Sequence, residues 1–327
     1  MHIPDNYLSP STCAVVTAAA IPVWTHSVRK IKAEIPKEKM SMLGVGAAFS
    51  FVAMMFNIPM PGGTTGHAVG GTLIALLLGP EAACIAVTIA LLIQALLFGD
   101  GGILAFGANC FNMAFILPYV GYYTYKLMVH ILHADRLNAP AGNKLIAAGI
   151  GSYLGINAAA LAAAIEFGIQ PALFHTSAGV PLYCPYGLSI SIPAMMLGHL
   201  TIFGAAEVIF TIALYAFISK TSPGMLRDAT LADANAKNSR PIFALLAILI
   251  AATPLGLIAS GTAWGEWDIA EIPTMTESFS WTSLFPDYSV AGLPDVVGYI
   301  LSAIIGVLIS IILFRLIAAK MRKTTKF

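Results

Sequence analysis

The chain has 327 residues, of which 58% are hydrophobic and 10% are charged, and its formal net charge is +1. Soluble domains contain about 25% charged residues, so this composition, with a mean hydropathy of +0.82, excludes a soluble globular protein. The chain is expected to be an integral membrane protein in contact with the lipid bilayer, and its near-neutral charge gives no sign of nucleic acid binding.

Nine apolar segments predict an all-α fold of nine transmembrane helices, since a helix crosses a bilayer with about 20 mostly apolar residues. The segments cover residues 10–28, 41–58, 65–79, 81–98, 108–131, 143–167, 189–218, 242–260 and 295–318. The third is short because it follows Pro59 to Gly66, a stretch rich in proline and glycine that cannot form a regular helix. Non-helical backbone at membrane depth needs cover from protein or a cavity, so this stretch is expected at the outer surface or beside a site.

Basic residues between these helices predict the orientation of the chain. All 17 lysine and arginine residues fall in five clusters, at 29–39, 126–144, 220–240, 315 and 320–326. The positive-inside rule places such clusters in the cytoplasm, and nine helices put all five there when the N-terminus is outside and the C-terminus inside. The outer segments then contain no lysine or arginine, at 1–9, 59–66, 99–107, 168–188 and 261–293.

The first apolar segment is expected to remain in the mature protein. Its basic residues, Arg29 and Lys30, follow the apolar core, whereas a cleavable signal peptide carries them before it. Histidine at position 2 is bulky, and enzymes that remove the initiator methionine require a small second residue. Met1 is therefore expected to be the true N-terminus.

A polar segment at residues 219–241 predicts a cytoplasmic linker between two domains. The first domain, residues 1–218, has seven predicted helices, and the second, residues 242–327, has two helices joined by an acidic outer loop. The four cysteines are too few and too scattered for a disulfide framework, and they are expected to act as small apolar residues.

The first five residues, MHIPD, carry a possible site for a divalent metal ion. The Met1 amine, the His2 amide nitrogen and the His2 imidazole lie on one continuous stretch of backbone and can close chelate rings around one ion. Pro4 stiffens this arm, and Pro10 suits the first turn of the helix that follows. The arm is therefore expected to fold inwards as a plug rather than to form a loose tail.

A fourth nitrogen ligand can come from His67, which directly follows the stretch rich in glycine and threonine on the same side of the membrane. A hydrogen-bonded capping histidine is the alternative interpretation, and the shared side with Met1 and His2 favours the ligand. Four nitrogen atoms in one plane favour Cu(II) and Ni(II), whereas zinc prefers a tetrahedron.

Other polar residues within the apolar segments are candidates for support or transport, because they are costly in a membrane. Asn109 and Asn112 lie three residues apart and so share one helix face. Together with Gln94 they either hold the arm in place, as outer groups do around metal ions, or form ordinary bonds between helices. His199 and Glu207 lie eight residues apart on the seventh predicted helix and share a face, and they form a buried pair, a proton relay or an interface feature.

The MHIPD motif, with LSP at residues 8–10, resembles the N-terminus of the CbiM/NikM substrate-binding components of cobalt and nickel energy-coupling-factor transporters. The stretches around His67, at 107–113 and at 199–207 are similar to that family as well, and the resemblance covers residues 1–218. Asn6 stands where the family usually has glycine. Residues 242–327 resemble the two-helix CbiN/NikN component or a PDGLE-type tail, through PDY at 286–288 and GLPD at 292–295.

The resemblance implies a seven-helix domain that carries Ni(II) or Co(II) into a bacterium or archaeon across its cytoplasmic membrane. The implied ligands are the Met1 amine, the His2 amide and imidazole and the His67 imidazole, with Asp5 as further support. The planar nitrogen set and the fused small domain favour nickel. The implied partners are a coupling subunit of the CbiQ/NikQ type and an ATPase of the CbiO/NikO type. The sequence has no phosphate-binding loop, so the chain is not expected to be an enzyme.

Two other functions fit fewer of these residues. An intramembrane metalloenzyme needs an open coordination position and a general base, and the HExxH spacing does not occur in the sequence. A channel or proton-coupled metal permease needs no ATPase, and its proton path could use His199, Glu207 and Glu166.

Overall fold

The computed structural model describes residues 1–35, 37–61, 64–136, 139–227, 239–259, 263–265 and 279–323. Helices dominate these residues, and the one sheet among them is a pair of two-residue antiparallel strands, Ile58–Pro59 and Thr65–Gly66. The predicted all-α fold is confirmed for this part of the chain. Residues 228–238 of the predicted linker lie outside it, as do residues 266–278, which hold most of the acidic side chains of the predicted outer loop.

The α-helices of the described residues are α1 (Pro10–Glu34), α2 (Lys37–Met54), α3 (Gly71–Leu78), α4 (Pro80–Ile93), α5 (Phe106–Asn109), α6 (Leu117–Ile131), α7 (Ala141–Gly168), α8 (Gln170–Leu173), α9 (Leu188–Gly198), α10 (Gly204–Thr221), α11 (Arg240–Ala252) and α12 (Asp295–Lys323). Short 3₁₀ turns lie at Pro223–Met225, Thr253–Ile258 and Pro286–Tyr288. Wider π-helical segments continue three of the helices, at Gln94–Phe98, Cys110–Ile116 and His199–Phe203. Such segments occur often at functional sites, and each begins at or next to a polar residue that the sequence singles out.

Six helical segments of the described chain are long and apolar enough to cross a membrane, at Pro10–Glu34, Pro80–Phe98, Gly142–Leu173, Leu188–Thr221, Arg240–Ile258 and Asp295–Lys320. The three other predicted helices correspond to α2, to the eight-residue α3 and to the interrupted stretch from α5 to α6. The chain is therefore a multi-pass membrane protein. The count of nine spans and the outward N-terminus stay predictions.

The predicted third helix begins later than expected. His67 does not open it, because Gly70 adopts a left-handed conformation with a φ of 71° and α3 starts at Gly71. That conformation is costly for residues with a Cβ atom, so the glycine marks where the extended chain turns into helix. His67 therefore lies in the loop between the strand Thr65–Gly66 and α3, residues 67–70, which we call the His67 loop.

The helices pack closely through small side chains. α7 lies against α6, α9 and α10, and α12 packs along α2. On α7 the alanines at 159, 160, 163 and 164 are fully buried, and small residues let membrane helices approach one another. Because α12 packs on α2, the two predicted domains share an interface, and the loop before α12 (residues 279–294, the C-terminal loop) reaches the candidate site.

Candidate metal centre

The N-terminal arm, residues 1–9, is folded into the protein. Met1 and His2 are only 3% and 2% exposed, and Ile3 is fully buried. At the end of the arm, Ser9 accepts a hydrogen bond from the backbone N–H of Thr12 and caps α1, which is the role that serine commonly has before a helix. The arm is thus a plug, as its prolines predict.

Asn109 holds the backbone of the arm at Ile3. The Ile3 N–H donates to Asn109 Oδ1 at 2.7 Å, and Asn109 Nδ2 donates to the Ile3 carbonyl at 3.0 Å. A second donor to that carbonyl is the N–H of Gly102, at 2.8 Å. Because Ile3 directly follows His2, these bonds fix the position of the His2 backbone.

Asp5 fixes the arm from the other side. Its two carboxylate oxygens accept the backbone N–H groups of Ile103 and Leu104 at 3.0 and 2.8 Å. A Cβ atom on Gly102 would lie 2.4 Å from the Asp5 backbone nitrogen, so only glycine allows the arm to approach this closely. Of the two interpretations of Asn109, these contacts favour support of the arm. Asp5 belongs to the arm and anchors it to the backbone of Ile103 and Leu104.

The two candidate imidazole ligands face each other. His2 Nδ1 lies 3.2 Å from His67 Nε2. Nitrogen ligands bind a metal ion at about 2.0–2.1 Å, so two of them at right angles stand about 2.9 Å apart. The observed distance is close to that spacing, and Nδ1 is the atom of His2 that can close a chelate ring with its own amide nitrogen.

The hydrogen bond between His67 Nδ1 and Ala68 leaves the other ring nitrogen, Nε2, available to bind a metal ion. Nδ1 lies 3.2 Å from the carbonyl oxygen of Ala68, and since a carbonyl only accepts, Nδ1 carries the hydrogen. Burial, the neighbouring His2 and the amino terminus lower the pKa of His67 well below its ordinary value. The ring is therefore neutral, with the Nε2 lone pair towards His2, and a carbonyl partner on the other nitrogen is typical of metal-binding histidines.

Asp100, for which the sequence predicts no role, lies against His2. Its Oδ1 atom is 3.1 Å from His2 Nδ1. A hydrogen on Nδ1 can therefore be donated to Asp100 or to His67, and an ion bound at Nδ1 would displace it. The sequence feature that could have indicated Asp100 is its position between Gly99 and Gly101, in a segment predicted on the same side of the membrane as the arm.

Gln94 supports the centre through Asp100 and not through the arm. Its amide nitrogen donates to Asp100 Oδ2 at 3.1 Å and to the hydroxyl of Tyr288 at 2.8 Å. The Tyr288 hydroxyl in turn donates to Asp100 Oδ2. Tyr288 belongs to the C-terminal loop, so both predicted domains contribute to the surroundings of His2.

Glu207 holds the His67 loop. Its carboxylate accepts the backbone N–H of Val69 at 2.7 Å and that of Gly70 at 3.1 Å. These are the two residues between Ala68 and α3, so the carboxylate fixes the backbone that carries His67. In the described structure Glu207 is therefore placed to position a ligand, a role that the sequence did not suggest.

His199 contacts a different part of the centre. Its Nδ1 donates to the Met195 carbonyl at 2.8 Å. The ring lines a cavity of about 20 Å³ that also touches Met1, Met60 and Trp264. The wider π-helical turn at His199–Phe203 lies between His199 and Glu207, and each has its own backbone partner, so the described contacts do not join them as a pair.

Of the two interpretations of Asn112, the described contacts favour a bond between helices over support of the arm. Asn112 donates to Glu166 at 2.8 Å, because the π-helical turn that starts at Cys110 separates Asn109 and Asn112 by more than a regular helix would. Gln170 accepts the Ser9 N–H at 3.0 Å and donates to the Glu166 carbonyl. No sequence pattern marks this residue.

The arrangement can bind a metal ion only with the help of backbone nitrogen atoms. Among the described residues, no group of three or more histidine, cysteine, aspartate or glutamate side chains is placed to hold an ion. The two imidazoles supply two nitrogen atoms, and the Met1 amine and the His2 amide lie on the same buried arm. The donor set predicted from the sequence is therefore compatible with the geometry.

Replacing Asn109 by alanine is expected to weaken Ni(II) binding by about 10- to 100-fold, the usual range for groups that orient ligands. The variant loses both bonds to Ile3, so the arm no longer holds His2 against His67. Asn112→Ala is the matched control, because its partner is Glu166. Titration of both purified variants with Ni(II) measures the effect, and equal losses for the two would show that only general packing had changed.

Residues 2–225 match the CbiM family, described as the cobalt uptake substrate-specific transmembrane region, and residues 239–323 match the PDGLE domain. The probable fused nickel transport protein LarMN of Lactiplantibacillus plantarum is 51% identical over an alignment of 331 positions that covers 96% of this chain and 97% of that protein. The fused nickel transport protein NikMN of Rhodobacter capsulatus is 45% identical and covers 94% of each chain. A crystal structure of a truncated transition metal transporter has a TM-score of 0.62 and 55% identity, and covers 67% of this chain and 99% of that one.

Proposed function

The chain belongs to the CbiM family and carries a PDGLE domain towards its C-terminus, and we propose that it is the substrate-binding subunit of an energy-coupling-factor transporter. Its cargo is Ni(II) or Co(II), with nickel preferred, taken up from outside the cytoplasmic membrane. The ion is bound by four nitrogen atoms, which are the Met1 amine, the His2 amide, His2 Nδ1 and His67 Nε2.

The observation that carries this proposal is the distance of 3.2 Å between His2 Nδ1 and His67 Nε2 on a buried arm. The chain brings the N-terminus and residue 67 together through the bonds of Asn109, Asp5 and Glu207 to backbone groups. This fixed approach lowers the cost of ordering the ligands when an ion binds.

Planar nitrogen coordination supports the choice of metal. Met1 and His2 form adjoining chelate rings, which place their three nitrogen atoms in one plane, and His67 can complete the square. Such a site favours Ni(II) or Cu(II) over zinc, which prefers a tetrahedron. Two relatives that match nearly the whole chain are named nickel transport proteins, which also supports nickel over cobalt.

Transport against a gradient needs energy that this chain does not obtain from ATP. The sequence has no phosphate-binding loop of the GxxxxGK(S/T) type, which ATPases of this class use to hold phosphate groups. We assign ATP hydrolysis to separate ATPase subunits of the CbiO/NikO type, joined to this chain by a membrane-embedded coupling subunit of the CbiQ/NikQ type.

Uptake of radioactive nickel by cells is expected to require both the ATPase and His67. Cells that produce this chain with its coupling and ATPase subunits should accumulate the ion, and uptake should fall to background when the ATPase carries an inactive phosphate-binding loop. The variant His67→Ala, tested with active ATPase, should fail equally because it cannot bind cargo. Full uptake with the inactive ATPase, abolished by a proton uncoupler, would instead establish a proton-coupled permease.

A further inference from the structure

The C-terminal loop reaches the metal centre through Tyr288. The Tyr288 hydroxyl donates to Asp100 Oδ2 and accepts from Gln94 Nε2 at 2.8 Å. The other oxygen of that carboxylate, Oδ1, lies 3.1 Å from His2 Nδ1. Asp100 therefore connects a residue of the C-terminal domain to a proposed ligand of the first domain.

The position of Tyr288 is fixed by packing. Its ring is buried and stacks on Phe98 with the centroids 4.9 Å apart, and Tyr299 packs against it at 5.4 Å. Its carbonyl accepts the Ser302 hydroxyl at 2.8 Å, which joins it to α12. These contacts fix the Tyr288 ring so that its hydroxyl points to Asp100.

The backbone at this point is in an unusual conformation. Asp287 and Tyr288 have φ angles of 52° and 59°, a left-handed region that residues with a Cβ atom seldom adopt. Such conformations persist only where surrounding contacts hold them, and they concentrate at functional sites. Here the left-handed pair turns the chain so that the Tyr288 hydroxyl meets the carboxylate.

A second contact joins the same loop to the N-terminal arm. Asn6 donates to the Phe279 carbonyl at 2.7 Å, and the Phe279 N–H donates to Asn6 Oδ1 at 3.0 Å. Asn6 has a φ of 70°, which asparagine tolerates better than most residues. Glycine would permit the same backbone but could not form either bond.

We propose that Tyr288 is a positioning residue of the metal centre, through which the C-terminal domain sets the affinity of the first domain for its ion. Tyr288 and Gln94 hold the Asp100 carboxylate beside His2 Nδ1. The carboxylate accepts the Nδ1 hydrogen before an ion binds, and once the ion has replaced that hydrogen, the negative charge of the carboxylate stabilises the cation. Without the hydroxyl, Asp100 loses the partner that comes from the C-terminal loop, and its charge is held less firmly beside the ion. This inference rests on the proposed function, because it takes His2 as a ligand.

Titration of the full-length protein in detergent with Ni(II) alone tests the inference. Tyr288→Phe is expected to weaken binding by about tenfold or more, as for other groups that orient a ligand, and to alter the visible d–d absorption band of the bound ion. Tyr299→Phe is the matched control, since it also removes one buried hydroxyl, but that hydroxyl donates to the Met55 carbonyl. It should leave both the affinity and the band unchanged.

A double variant shows whether Tyr288 acts through Asp100. Effects of residues in one network are not additive, so Tyr288→Phe should cause no further loss of affinity in a protein that already carries Asp100→Ala. A Tyr288→Phe protein with the wild-type affinity and band would overturn the inference, and so would full additivity of the two changes. If instead the wild-type chain with an unmodified amino terminus binds no Ni(II), the proposed function itself fails.

Discussion

A protein with one extra glycine before Met1 is expected to lose tight Ni(II) binding while its helices stay folded. The extension converts the Met1 amine into an amide, which removes one of the four proposed nitrogen ligands and the chelate ring that it closes. Met1 is also buried, so the added residue must displace the arm. That displacement would move His2 away from His67 and weaken the site further.

The expected loss is at least about a hundredfold in Kd. Four-ligand zinc sites in peptides bind with about 10–16 kcal/mol, or about 3 kcal/mol per ligand, and about 1.4 kcal/mol corresponds to a factor of ten. Calorimetric titration with Ni(II) measures the affinity. Thermal unfolding in the presence of a chelator measures the fold, and its midpoint should change little.

The control for this extension is the same protein after a protease has cut directly before Met1. Cleavage should restore binding with an unchanged d–d band, which separates the chemistry of the amine from any damage during purification. An uncut, extended protein that binds Ni(II) with the affinity of the cut one would show that the amine is not a ligand.

The sequence predicts those features of the fold and the site that depend on composition or on covalent neighbours. The apolar segments and the low charge predict a helical membrane protein, which is confirmed. Met1 and His2 are adjacent in the chain, so their ability to chelate can be proposed without knowing the fold. Pro4 and Pro10 are also close to these residues in the chain, so the inward-folded arm could be predicted from them without knowing the fold.

Contacts between distant residues could not be predicted from the sequence. Tyr288 and Asp100 are 188 residues apart, and Glu207 and Val69 are 138 apart. In each pair a polar side chain contacts a partner that no rule of sequence spacing connects to it. Tyr288 therefore stood in the sequence only as part of the PDY motif, and Asp100 only as a residue of the outer segment 99–107.

The π-helical turns explain why Asn109 and Asn112, and likewise His199 and Glu207, have separate partners. The prediction of shared faces assumed 3.6 residues in each turn, but a wider turn begins at Cys110 and another at His199. These turns redirect the residues that follow them, so Asn112 faces Glu166 and Glu207 faces the His67 loop. A single widened turn has no recognised sequence pattern. Predictions from regular helical spacing therefore fail at the candidate site, where these turns lie.

Replacing Glu207 by alanine is expected to abolish Ni(II) binding, and replacing it by glutamine is expected to preserve most of it. In the alanine variant the buried N–H groups of Val69 and Gly70 lose their acceptor, and each unpaired group costs about 1–3 kcal/mol. The His67 loop then rearranges to find other partners. Glutamine keeps one oxygen where Oε2 now accepts both N–H groups, so His67 stays in place.

These two variants also separate positioning from proton transfer. A glutamine amide cannot carry a proton as a carboxyl group does, so in a proton-coupled permease Glu207→Gln would still bind Ni(II) but would not transport it. In the positioning role that we assign, Glu207→Gln binds and transports, whereas Glu207→Ala does neither. Thr211→Ala, a buried residue one turn further along α10, controls for lost packing and should bind Ni(II) like the wild type. Calorimetric titration and nickel uptake, measured on all three variants, therefore assign Glu207 either to the backbone that presents His67 or to a proton path.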